Sequence, residues 1–131
     1  MMIVVIHRND IWRTTMEIIN IENINSFSLE DVYEYVASHM KDQGIASTSP
    51  KVDGFFSYYG EEGRRCPVGI LIPEKDYDES VELMSVEDIF IKYKVNEDIA
   101  RLLRRFVYIH DNCSISEIEK ELLSIEIDIL Q

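Results

Sequence analysis

The stretch from Phe55 to Asp78, FFSYYGEEGRRCPVGILIPEKDYD, decides how the chain is read, because it gathers aromatics, a two-glycine turn, paired arginines, a cysteine and two prolines in one tract. Phe55 to Tyr59 has the aromatic content of a strand. Gly60-Glu61-Glu62-Gly63 supplies a turn in which glycine can take positive φ, and the chain returns through Arg64 and Arg65. The simplest reading is a β-hairpin. Val68 to Ile72 then reads either as a partner strand or as a short buried helix opened by Pro67, and Pro73 stops either one.

Upstream, Ser28 can cap a helix whose apolar stripe is Leu29, Val32, Tyr33, Val36 and Met40, with Asp31 three residues beyond the cap and Gly44 as the terminator. Downstream, Ser85 opens a helix with Val86, Ile89, Phe90 and Tyr93 on one side. Asn96 opens another whose stripe is Ile99, Leu102, Leu103, Phe106, Val107 and His110. Ser114 or Ser116 caps a last helix through Ile118 and Leu122. Ser124 to Leu130, SIEIDIL, alternates with period two as well as it fits a heptad, and residues 2–6, MIVVI, read as a strand, with Met16 to Ile24 as a second. The expected fold class is therefore α+β: three or four helices packed with a small β-hairpin, with the N- and C-terminal segments open to pairing as strands.

At 131 residues the chain is of single-domain size, and 46% hydrophobic content supports a packed core. Met16 offers an internal start, which would make residues 1–15 an optional extension. The 25 Asp and Glu outnumber the 13 Lys and Arg to give a net charge of −12. That balance argues against sequence-independent nucleic-acid binding, which neutralises phosphates with basic side chains. An acidic run from Glu74 to Asp88 precedes a basic one of Lys92, Lys94, Arg101, Arg104 and Arg105, read first as solvated faces or intramolecular pairs. Cys66 and Cys113 show no framework spacing, which points to a reducing cytosol rather than a disulfide-stapled exterior. The apolar run at the N-terminus is too short for a signal peptide or a membrane span. A cytoplasmic protein is expected.

The tract Tyr58 to Asp78, followed by Arg105-Phe-Val-Tyr-Ile-His-Asp111, resembles a group of small bacterial, prophage and phage proteins. That group carries a "YRGxxGxxCAVGxLIPDExYD" tract and a downstream helix ending in "LQxIHD". The resemblance spans about Leu29 to Leu123 and leaves the first 25 residues outside it. It implies a cytosolic, mostly helical protein of phage or prophage type and assigns no activity. Relatives carry further cysteines near the positions of Phe56 and Ile70, both apolar here, so the resemblance implies no metal site in this tract.

Cys66 follows two arginines, and a thiol near positive charge can be activated. Paired with His39 or His110 it would form the dyad of a small hydrolase or transferase; as a small side chain opening VGILI it would equally be core. His110, on the apolar stripe beside Asp111, reads as a core histidine near a helix C-terminus or as an oriented base. The cysteines and histidines show no zinc spacing, and the acidic tract lacks the offsets of a calcium loop. No metal and no cofactor are expected. Phe55, Tyr58, Tyr59, Arg64 and Arg65 place aromatic and guanidinium groups around the turn, and Glu74, Asp76, Asp78 and Glu79 form an acidic loop beside them; the candidate binding residues are these apart from Phe55. The expected function is a non-enzymatic acidic binding protein that engages a host protein and inhibits a defence or metabolic enzyme. A Cys/His-dependent enzyme and a self-associating module are the alternatives.

Overall fold

The computed structural model describes residues 18–51 and 55–131. Among them four α-helices occur: α1 (Leu29–Gln43), α2 (Val86–Lys92), α3 (Glu97–Asn112) and α4 (Ile115–Leu130). The three long helices α1, α3 and α4 pack on one another. Tyr33 of α1 joins all three: its ring lies 5.7 Å from Phe106 of α3, and its hydroxyl donates to the Leu122 carbonyl of α4 at 2.9 Å. Burial pushes that hydroxyl's pKa up to about 12, with Glu126 and Glu34 adding to it, so it remains a donor.

Local chemistry accounts for the helix ends. The Ser28 hydroxyl accepts from the Asp31 N–H at 3.1 Å, and Gly44 closes α1 at φ +74° with its N–H on the Met40 carbonyl. Ser85 and Asp88 form a reciprocal capping box at the start of α2. On α3 the stripe Ile99, Leu102, Leu103, Phe106 and His110 is buried, while Val107 is half-buried. The basic residues of its outer face are engaged within the chain. Arg104 makes a two-point contact with Glu87 and reaches Glu97, and Arg105 meets Asp128 at 2.7 Å.

The α+β expectation is overturned: among the described residues there is no β-strand, sheet or hairpin, and the fold is all-α. Residues 44–51 and 55–85 are instead irregular chain with short 3₁₀ turns at Glu61–Gly63, Gly69–Leu71, Glu74–Asp76 and Glu79–Leu83. The turn at Gly60–Gly63 does reverse the chain, but only one antiparallel bridge forms across it, Tyr59 with Arg65; a second isolated bridge joins Thr48 and Phe56. The ladder stops for a physical reason. The N–H groups of Tyr58 and Tyr59 both donate to the Glu82 carboxylate at 3.0 Å, and after Cys66 the chain coils into the 3₁₀ turn at Gly69. Val68 to Ile72 thus follows the short-helix alternative.

Of the two readings open for the C-terminal segment, the strand is overturned as well. Residues 124–130 continue α4, which buries Leu122 and Ile125 and half-buries Ile118 and Ile129. Those four fall on one helical face, whereas Ile127, which a strand would align with Ile125, is exposed. Of the second N-terminal strand, residues 18–24 form no strand: Ile19, Ile21 and Ile24 are buried, and the Ile21 N–H donates to the Leu71 carbonyl at 2.7 Å. The MIVVI strand and the optional extension lie outside the described residues. No helix among the described residues is long and apolar enough to cross a membrane.

Candidate functional site

Two glycines of the tract allow it to close on itself. A Cβ at Gly69 would come within 2.7 Å of the Tyr58 carbonyl carbon, and one at Gly60 within 2.8 Å of the Thr48 carbonyl oxygen. These close approaches bring the 44–49 segment, the turn and the Gly69 turn into one layer. Glu82, from the acidic run, then locks that layer. Its carboxylate accepts from the Tyr58 N–H, the Tyr59 N–H and, at 2.7 Å, the Tyr77 hydroxyl. Burial and then the Glu82 hydrogen bond push the Tyr77 hydroxyl's pKa upward.

The aromatic and guanidinium residues of the tract are largely spent on this internal structure. Tyr58 is buried and its hydroxyl donates to the Met84 carbonyl at 2.8 Å. Tyr59 lies in a three-layer stack, with the Arg65 guanidinium 3.7 Å from its ring centre and the Tyr77 ring parallel at 3.9 Å; its hydroxyl donates to the Ile72 carbonyl. Gln43 of α1 ties Arg65 down at both its N–H and its carbonyl. Arg64 sits 3.6 Å from Glu62. Of the acidic candidates, Asp78 caps the 79–83 turn through the Ser80 N–H, Glu79 pairs with Lys51, Asp76 pairs with Lys75, and Glu74 lies 3.9 Å from Arg65.

The thiol and the two histidines do not assemble a nucleophile and base. Cys66 is buried, its Sγ accepts from the Gly69 N–H at 3.2 Å, and burial pushes the thiol up to about 12. His110 Nε2 accepts from the Ser47 N–H at 2.8 Å, which places the ring proton on Nδ1, facing Asp111 Oδ1 at 2.6 Å. The lone pair a base would need is therefore occupied. His39 Nε2 lies 3.1 Å from the Arg65 carbonyl, and burial holds its pKa below the usual histidine value. Among the described residues no hydrogen bond joins Cys66 to either imidazole, and no group of three or more His, Cys, Asp or Glu is placed to hold a metal ion.

What the fold leaves open is an aromatic groove of about 440 Å³ outside the Glu82 layer. Phe55 (64% exposed), Phe56 (45%) and Leu83 (89%) line it, with Tyr59 and Tyr77 among its walls and Lys51 and Glu79 at its charged edge. Phe56, Leu83, Tyr77 and Glu82 were not among the candidate residues. The signal for Leu83 was present in the sequence: an apolar residue between Glu82 and Met84 in a stretch with no helical stripe to bury it. No family model, no curated protein and no solved structure matches this chain.

Proposed function

We propose that the protein is a non-enzymatic binding module that docks a partner protein through the groove of Phe55, Phe56 and Leu83. The observation that carries this reading is the near-complete exposure of Leu83 beside two exposed phenylalanines on a concave surface. Apolar side chains gathered on a concavity mark interaction sites, whereas exposed ones scattered singly do not. The rigid Arg65–Tyr59–Tyr77 stack behind the groove supports it, since a preorganised wall lowers the ordering cost of binding. The buried thiol and the occupied His110 nitrogen weigh against the Cys/His enzyme. The resemblance to phage and prophage proteins supports a host protein as the partner, with inhibition of a defence or metabolic enzyme as the consequence.

Co-purification with tagged wild-type protein, Leu83→Ser and Cys66→Ala from host lysate tests the reading. One stoichiometric protein retained by wild type and Cys66→Ala but lost with Leu83→Ser is the expected result. Equal recovery with Leu83→Ser would overturn it. Light scattering separates self-association: a dimer that Leu83→Ser dissociates would assign the groove to a second copy of the chain.

A further inference from the structure

The groove has a neighbour that shares part of its wall. Phe56, Ser57 and Glu82 line both it and a second cavity of about 180 Å³. That volume falls below the roughly 300–1,000 Å³ of small-molecule pockets, so it suits one side chain rather than a cofactor. Met84, Val86 and Val107 give it apolar walls, and its two charged lining residues, Glu82 and Asp111, are both acidic. Neither carboxylate is paired with a lysine or arginine among the described residues. Glu82 is held by two backbone N–H groups and a hydroxyl, all neutral donors. Asp111 Oδ1 faces His110 Nδ1, which leaves Oδ2 without a protein donor among the described residues. Tyr58 and Cys66 line the same cavity, and burial pushes their hydroxyl and thiol upward, with Glu82 and Asp111 among the charges that add to it, beside Cys66 and Asp88 for Tyr58.

We propose that the groove and this cavity together take an extended protein segment in which an apolar residue lies on Phe55, Phe56 and Leu83 while a nearby lysine or arginine places its cationic head beside Glu82 and Asp111. The inference rests on the docking reading above and names the partner's chemistry. A long basic side chain fits because its aliphatic stem can lie on Met84, Val86 and Val107 while its head meets the carboxylates. The net charge of −12 favours a basic segment and speeds its encounter.

The test uses short Gly/Ser peptides carrying phenylalanine with lysine one or two residues later. Matched peptides have norleucine in place of lysine, or alanine in place of phenylalanine. Each is titrated into ¹⁵N-labelled wild-type protein and into Asp111→Asn, which keeps an acceptor for His110 Nδ1–H. The lysine peptide is expected to shift amides of Phe55 and Leu83 together with those of Val86 and Val107. It should bind about tenfold more tightly than the norleucine peptide, a preference that Asp111→Asn abolishes. Equal binding of the lysine and norleucine peptides at the groove would overturn the cationic pocket and leave the docking reading standing. No saturable shift at the groove with any peptide would overturn both.

Discussion

At Glu82 a single carboxylate accepts from two consecutive backbone N–H groups and a tyrosyl hydroxyl, so it satisfies the N–H groups of Tyr58 and Tyr59 where the pairing across the turn ends. Glutamine in its place would keep one acceptor oxygen and turn an amide donor toward the remaining N–H or O–H. Glu82→Gln is therefore expected to lower stability by about 1–3 kcal/mol, the cost of leaving a partly buried donor unmatched. Denaturant titration checks it. Gly69→Ala should cost at least as much, since the new methyl would overlap the Tyr58 carbonyl and overpacking costs about 1–3 kcal/mol. At this scale the sequence was readable for type and opaque for partner. Tyr58, Tyr59, Arg64 and Arg65 are interface-type residues, but whether such residues face a partner or each other depends on Gln43 and Glu82, which lie 22 to 24 residues away from them in the chain, and on Tyr77 stacked on Tyr59.

Among the elements, helices with a clear apolar stripe follow the sequence closely: α1 from Ser28 to Gly44, and α3 from Asn96 through His110, although the Asn96 side chain makes no capping bond. Elements whose sequence supports two periods do not. In SIEIDIL the alternation of Ile125, Ile127 and Ile129 with acidic residues satisfies a strand, and only the continuation from Ile118 and Leu122 selects the helix by placing Ile125 and Ile129 on the face already buried. Two truncations separate the alternatives. Ile125→Ala should destabilise by about 2–5 kcal/mol because the residue is fully buried. Ile127→Ala, about half exposed, should stay within about 0.5 kcal/mol of wild type. Similar losses at both positions would indicate a strand face in place of α4. The turn tract misled for a different reason. Its residues are those of a hairpin, and Gly60 and Cys66 do donate across the turn, but at the next rung the Tyr58 N–H goes to Glu82 and the Cys66 carbonyl to the Ile70 N–H.

For the whole molecule, acidity governs both stability and encounter. Burial lowers the His39 pKa, so the unfolded chain takes up its proton first as pH falls through about 6.5. The carboxyls of Asp78, Glu87, Glu97 and Glu117 are also held low: by Ser80, by Arg104 for both Glu87 and Glu97, and by the Ser114 backbone N–H. For every one of these groups the folded form binds protons less readily than the unfolded one, so each contributes stability at neutral pH that is lost on acidification. Urea unfolding should show falling stability below about pH 6.5, and His39→Gln should show a smaller decline between pH 7 and 5 than wild type. An identical decline in the variant would remove His39 from this explanation. Arg104 and Arg105 of the basic run neutralise their neighbours Glu87, Glu97 and Asp128, and the chain as a whole keeps a net charge of −12. Among the described residues that leaves an aromatic groove beside an acid-lined cavity on an acidic molecule, the surface we propose takes a basic, partly apolar segment. Hydrogen exchange of the protein alone and with any protein that co-purifies with it tests this most directly. Protection concentrated in residues 55–59 and 79–86, with the outer faces of α3 and α4 unchanged, is the expected pattern; protection confined to α3 and α4 with the groove unaffected would overturn the assignment.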